Sequence, residues 1–337
     1  MLREYLRGKK GFILVSHDRA FLDGCVDHVL SINKANITVT QGNFSTWWEN
    51  KARQDAYELR ENERLHKDIV RLGEAARRTA GWSDAVEGGK IGEHSYDRGF
   101  VGHKAAKMMK RAKAVETRRA RQIEEKEKLL KNIERSDMLT IRPLPHRKDI
   151  LVEVKELSVC YGTSPVFEDV SFEVRQGQRL ALVGPNGCGK SSIVKLLAGE
   201  EIPHTGLVRM PGDIILSYVP QDTSFLKGDL TEFARRSMID ESLFKTILRK
   251  LDFPRVQFEK DMADFSAGQR KKVLLARSLC QQAHLYLWDE PLNYVDVLSR
   301  MQVEALLTAG EPTMVFVEHD AAFLDAIATD RIHIGST

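Results

Sequence analysis

The sequence predicts an α/β fold with a phosphate-binding loop, preceded by a long α-helical hairpin. Three observations predict it. Leu180-Ala181-Leu182-Val183 reads as a buried strand, Gly184 to Ser191 as a loop of the form G-x-x-x-x-G-K-[ST], and Ser192 to Leu197 as the helix that follows. A nine-residue strand-to-helix signature occurs twice, from Val15 and from Val317, with seven positions identical. All ten prolines lie at Pro143 or beyond, so the first 142 residues suit uninterrupted helices.

In chain order, residues 1–45 hold the first copy of the signature. Val15-Ser16-His17-Asp18-Arg19-Ala20-Phe21-Leu22-Asp23 recurs as Val317-Glu318-His319-Asp320-Ala321-Ala322-Phe323-Leu324-Asp325. Each copy follows a β-rich run, Phe12-Ile13-Leu14-Val15 and Met314-Val315-Phe316-Val317. Each His is thereby placed just past the end of a strand, where ligands bind in open parallel sheets. A shared turn with an ordinary His is the plainer reading; the identities favour duplicated domains. No phosphate loop precedes His17. Residues 1–45 are therefore expected to be the end of one nucleotide-binding domain, and residues 143–337 a whole second one.

Residues 46–142 belong to neither domain. Trp47-Trp48 opens them, and Leu65, Ile69, Leu72 and Ala76 then stand at helical spacing among charges. A glycine-rich stretch follows, with the tip placed at about residues 80–102. Ala105, Met108, Ala112 and Val115, then Ile123, Leu130 and Ile133, mark a second helix. The pattern predicts an antiparallel hairpin whose arms, about 30 residues each, reach about 45 Å. From Arg98 to Arg121 nine Lys or Arg stand against one acid, Glu116. Such a block is either a solvated face or the footprint of a polyanion. On a projecting hairpin it favours RNA. Arg98, Lys104, Lys107, Lys110 and Arg111 would neutralise phosphates, while Trp82, Tyr96 and Phe100 would stack on bases. Met108-Met109 reads as hairpin core.

Residues 143–337 carry the chemistry. The glycines of the loop let several N–H groups converge, and the helix N-terminus adds positive potential. Lys190 then reaches the β- and γ-phosphates, and the Ser191 hydroxyl can ligate Mg²⁺. The apolar run His284 to Trp288 ends in Asp289 and Glu290, which suit the Mg²⁺ shell and the polarising of an attacking water. Taken alone, that run is equally a strand capped by solvated acids. Gln221 follows another apolar run and could sense Mg²⁺ and water. Ser266 is a good N-cap for a helix over roughly 270–281. Tyr161 could stack on a purine or simply fill a core.

Composition narrows the class. The chain has 337 residues, enough for two or three domains, with 42% apolar residues and a net charge of +3. No apolar run approaches the roughly 20 residues of a membrane span, and the N-terminus lacks a secretory core. Cys25, Cys160, Cys188 and Cys280 are scattered without metal-ligand spacing. They read as reduced thiols of a cytoplasmic protein with no membrane subunit.

Together these residues resemble the ATP-binding-cassette (ABC) ATPases. The family order runs stacking aromatic, phosphate loop, glutamine loop, signature, acidic strand end, aspartate loop and switch histidine. Tyr161, Gly184 to Ser191, Gln221, Ser266 to Gln269, Asp289 with Glu290, Asp296 and His319 follow it. The resemblance covers residues 150–337 fully and residues 1–45 partly. It departs at Ala267, where many members have Gly, and at Asn293-Tyr294-Val295-Asp296, where many have Asn-His-Leu-Asp.

The resemblance implies a P-loop NTPase fold of ABC type, a mixed sheet with a helical subdomain, binding ATP and Mg²⁺. The implied ATP contacts are Tyr161, Gly184, Asn186, Gly187, Cys188, Gly189, Lys190, Ser191, Ser192, Gln221 and Asp289. Ser191, Gln221 and Asp289 would attend Mg²⁺. Glu290 and His319 would be catalytic, and Ser266, Ala267, Gly268 and Gln269 the signature. Asp296 would belong to the aspartate loop, and His17 would be the first domain's switch.

Paired cassettes without membrane spans, joined by a charged hairpin, resemble the ABC-F translation proteins. The segment from Ser95 to Met109 and the run Pro291-Leu292-Asn293-Tyr294 are similar to the Lsa/Sal/Vga-type antibiotic-resistance ribosomal protection proteins. That likeness implies an ATPase at the ribosomal tRNA exit site, its tip near 23S rRNA of the peptidyl-transferase centre. There it would protect against lincosamides, pleuromutilins or streptogramin A. The alternatives are a housekeeping ABC-F translation factor, a hydrolysis-deficient fragment that binds ATP and RNA, and a transporter ATPase subunit. The hairpin and the second switch His argue against the last. One phosphate loop and one signature in the same cassette imply very weak hydrolysis by this chain alone, unless two copies form a homodimer.

Overall fold

The structure, a computed structural model, describes residues 2–9, 11–16, 18–32, 37–88, 141–161 and 164–335. Contacts divide the chain into two units, Met1–Asp27 with Ser136–Thr337, and His28–Arg135. That division differs from the one the sequence suggests, because the first signature segment packs with the second domain.

The N-terminal segment contains helices α1 (Leu2–Arg7) and α2 (Arg19–Cys25). Asp18 caps α2 by accepting from the Phe21 N–H at 2.9 Å. The run Phe12-Ile13-Leu14-Val15 is not a strand: no strand among the described residues pairs with it, and Ile13 is 95% exposed. A strand needs neighbours to satisfy its N–H and C=O groups, and composition alone does not supply them.

The second unit holds the hairpin of β1 (His28–Ile32) and β2 (Ile37–Gln41), antiparallel from His28↔Gln41 to Ile32↔Ile37. Helix α3 (Phe44–Gly88) follows, its start fixed by the Asn43 side chain, which accepts from the Thr46 N–H at 3.0 Å. Its 45 residues span about 68 Å at 1.5 Å per residue. The helix runs on past Gly81, so the first part of the expected tip is helical and Trp82 lies on α3. One interior glycine costs a helix only about 1 kcal/mol, and nothing from Trp82 to Glu87 breaks it. The rest of the tip and the second arm lie outside the described residues, as do His17, Arg98, Lys104, Lys107, Lys110 and Arg111.

In the first unit the chain continues with β3 (Ile150–Tyr161), β4 (Ser164–Arg175), β5 (Arg179–Val183), α4 (Lys190–Leu197), β6 (His204–Arg209) and β7 (Leu216–Val219). Next come α5 (Leu230–Arg236), α6 (Glu241–Lys250), α7 (Ala267–Cys280), β8 (Leu285–Asp289), α8 (Val297–Gly310), β9 (Met314–Val317), α9 (Ala321–Ile327) and β10 (Asp330–His333). One sheet is parallel, in the order β10-β5-β9-β8-β7; the other is antiparallel, in the order β4-β3-β6.

The parallel sheet is covered on both faces, which explains why its strands read as continuous apolar runs. Along β8, Leu285 and Leu287 join the core shared with α4 and the antiparallel sheet, whereas Tyr286 and Trp288 join the core of α5 to α9. Met314 and Phe316 of β9 alternate with Val315 and Val317 in the same way. The sheet thus forms a rigid plate whose C-terminal edge presents residues 184, 289–290 and 318–319. No helix among the described residues is long and apolar enough to cross a membrane.

Candidate functional site

The phosphate loop leaves β5 and is built around backbone that only glycine tolerates. Gly184 has φ 152°, and a Cβ there would lie 2.3 Å from the Ile334 carbonyl oxygen. Gly189 has φ 94°, and a Cβ would lie 2.5 Å from the Phe167 ring. Gly189 stands at the N-cap of α4 without a side-chain capping bond, so the first N–H groups of the helix remain available to an anion. The Lys190 ammonium curls back over the loop, donating to the carbonyls of Gly184 at 3.0 Å and Pro185 at 2.8 Å. Cys188 is buried inside the loop, and Asn186 and Gly187 form its outer turn. Beside α4, Tyr161 brings its hydroxyl 3.0 Å from Ser192 Oγ while its ring stays largely exposed.

The acidic end of β8 faces this loop. Ser191 Oγ donates to Asp289 Oδ1 at 2.9 Å. Asp289 is fully buried, and its Oδ2 has no partner. Burial raises its pKa, the Ser191 bond opposes this, and the Glu290 charge adds to the rise. A hydroxyl and a half-satisfied buried carboxylate are the donor set a hard divalent cation prefers. No trio of His, Cys, Asp or Glu among the described residues could hold a metal unaided. The residues therefore fit Mg²⁺ brought in with phosphate oxygens, as Mg²⁺ usually is.

Three side chains converge on Glu290. Its Oε2 accepts from Gln221 Nε2 at 2.9 Å and from Asn293 Nδ2 at 2.6 Å, and His319 Nε2 lies 3.3 Å from Oε1. Glu290 itself has φ 47°, a left-handed conformation unusual for a residue with a side chain. Its N–H is anchored on the Val317 carbonyl at 3.0 Å. The carboxylate is thus oriented by residues from three separate strand ends.

The signature segment folds as expected at its N-cap. Ser266 accepts from the Gln269 N–H at 3.3 Å, and Gln269 accepts from the Ser266 N–H at 2.9 Å, a closed capping box. Helix α7 therefore starts at Ala267, three residues before the helix read from the sequence. Gly268 lies against the Tyr294 carbonyl oxygen, 2.4 Å from where a Cβ would stand. Gly268→Ala should force the 290–296 loop to move and cost about 1–3 kcal/mol of stability. Urea unfolding with an unchanged midpoint would show that the loop yields freely. Asp296 caps α8, accepting from the Ser299 N–H at 2.9 Å and from Lys272 Nζ at 2.6 Å. Burial works to raise its pKa, but Lys272 and Ser299 outweigh this and hold it low.

Four further residues shape the site and were given no role in it from sequence. Asn293 holds Glu290. Lys271, buried in α7, donates to the carbonyls of Pro220 at 3.0 Å and Asp289 at 3.3 Å, tying the ends of β7 and β8 together. Burial lowers its pKa, while the carboxylates of Asp289, Glu290, Glu318 and Asp222 pull the other way. Glu318 accepts from the Leu292 N–H at 2.7 Å and the His319 N–H at 3.1 Å; burial raises its pKa against these bonds. Arg300 donates to the carbonyls of Val295 and Leu292, both at 3.0 Å. Two left a sequence signal: Asn293 within the run Asn293-Tyr294-Val295-Asp296, and Glu318 as an acid between apolar Val317 and His319.

Loop, acid pair and sheet together are those of a P-loop domain with the ABC ATPase fold. The family described as ABC transporter matches residues 167–293. Over its whole length the chain is similar to the ATP-binding protein YdiF of Bacillus subtilis (strain 168), at 29% identity across 100% of the chain and 49% of that protein. It is 25% identical to the ribosome protection protein VmlR of the same organism, across 96% of the chain and 59% of the relative. It is also 25% identical to the energy-dependent translational throttle protein EttA of Haemophilus influenzae, across 99% of the chain and 57% of the relative. These relatives are ABC-F ATP-binding proteins, and the chain spans about half to three-fifths of their length.

Proposed function

We propose that this chain acts as an ABC-F ATPase on the ribosome in the cytoplasm, protecting it from antibiotics of the lincosamide, pleuromutilin or streptogramin A type. The observation that carries the reading is the similarity to VmlR and EttA across nearly the whole chain, hairpin region included. Bound MgATP would supply the phosphoanhydride bond and a cation that gathers charge on the phosphates. Lys190 and the N–H groups at the start of α4 bind the phosphates, and Ser191, Asp289 and Gln221 stand around the cation. Glu290, held by Gln221, Asn293 and His319, takes the proton of the attacking water. Tyr161 offers its exposed ring to the base.

The basic stretch of the hairpin supplies the RNA contact in this reading. Neutralising Lys104, Lys107, Lys110 and Arg111 together should weaken ribosome binding and flatten its log–log salt slope by about 3, from roughly 0.7–0.9 per phosphate contact. Co-sedimentation at several salt concentrations measures this. Equal binding of variant and wild type at every salt would reduce the block to a solvated face. A Trp82→Ala change, nearer the tip, should alter drug protection more than binding.

EttA matches as well as VmlR does, and this favours a housekeeping translation role as the second reading. Drug susceptibility of cells expressing the protein separates the two. In either reading the described residues hold one phosphate loop and one signature, both in one domain. The monomer alone should hydrolyse ATP very slowly. Rapid turnover by a species shown to be monomeric by light scattering would contradict this; a homodimer is the arrangement that would raise the rate.

A further inference from the structure

Arg19 opens α2 within the first copy of the repeated signature, and its counterpart in the second copy is Ala321. Its guanidinium is largely buried against the second domain. Nη1 donates to Glu304 Oε2 of α8 at 3.0 Å, Nη2 bonds Glu304 Oε1, and Asp320 Oδ1 lies 3.9 Å away. Asp320 caps α9 and accepts from Arg300 Nη1 at 3.0 Å through its other oxygen. Two arginines and two acids thus form one neutral, nearly enclosed cluster. A two-pronged Arg–carboxylate fork fixes orientation as well as proximity.

The cluster continues to the nucleotide site. Arg300 grips the carbonyls of Leu292 and Val295, the two ends of the loop that carries Asn293. Asn293 orients Glu290, and the Tyr294 carbonyl of the same loop lies on Gly268. Asp320 directly follows His319, which faces Glu290 from the other side.

We propose that Arg19 is a positioning residue that links the first signature segment to the second domain's nucleotide site. Through Glu304, Asp320 and Arg300 it steadies the 292–295 loop, so that binding of MgATP tightens α2 and release of α2 loosens the grip on Glu290. The linkage must run both ways with equal strength. This rests on the MgATP reading given above.

Hydrogen exchange of the whole chain, with and without MgATP, tests the linkage. In the wild type MgATP should slow exchange at residues 184–192, at 290–296 and in α2. In Arg19→Ala, and separately in Glu304→Gln, protection at 184–192 should persist, the α2 response should vanish, and protection at 290–296 should fall at least about twofold. The double variant should lose no more than either single one, the mark of one shared interaction. A residue that merely anchored α2 would leave 290–296 unchanged. That result in both variants, or an α2 insensitive to MgATP in the wild type, overturns the proposal. Absence of protection at 184–192 brings it down together with the nucleotide reading beneath it.

Discussion

Replacing Lys190 with Ala should weaken MgATP binding by roughly 30-fold or more, because truncating one partner of a buried charge pair costs about 2–5 kcal/mol and ~1.4 kcal/mol is tenfold. Only 6% of Lys190 is exposed, and its ammonium rests on two loop carbonyls, ready to turn to a phosphate. No other cation donates to those carbonyls among the described contacts. The variant also takes the Lys190 donor from the Gly184 carbonyl and leaves the Pro185 carbonyl only the Cys188 N–H at 3.4 Å, a stability cost of about 1 kcal/mol that circular dichroism would register as a modestly lower melting temperature. Calorimetric titration gives the affinity. Equal affinities for variant and wild type would remove the loop from the site.

The second large effect separates binding from hydrolysis. Glu290→Gln should leave nucleotide affinity within about threefold but lower the single-turnover rate by roughly 10²–10⁴, the usual contribution of a positioned general base. The change keeps the side chain's size and removes its charge. It also sets an amide among three groups that aim at a carboxylate, since Gln221 and Asn293 both donate to Oε2. The amide oxygen can still accept from both of them, but the amide nitrogen then faces His319 and the side chain can no longer take a proton. Phosphate release by the variant at the wild-type rate would assign the base elsewhere.

Much of the site was legible because its parts are contiguous. The phosphate loop announces itself through a strand, three glycines and a helix in one stretch, and Asp289-Glu290 through the apolar run before it. The structure adds the reason for Gly184, the carbonyl of Ile334 against it, which is 150 residues away in sequence. Lys271 and Arg300 escaped notice, and Asn293 was read only as part of a motif, for the same reason. Their roles depend on which strand ends and loops the fold brings together. The run Phe12-Ile13-Leu14-Val15 shows the converse: its composition matches β9, yet only β9 has partners on both sides. The end of α3 was misjudged because glycine marks a tip only weakly when nothing else breaks the helix.

In the function proposed above, residues 141–335 form a site for MgATP. Equilibrium dialysis of the whole chain against labelled ATP tests it most directly, with and without Mg²⁺. The structure predicts saturation at one ATP per chain, tighter with Mg²⁺ because Ser191 and the free Asp289 Oδ2 then act together. Folded protein that retains no ATP, or that retains it equally with and without Mg²⁺, would show that these residues form no such site.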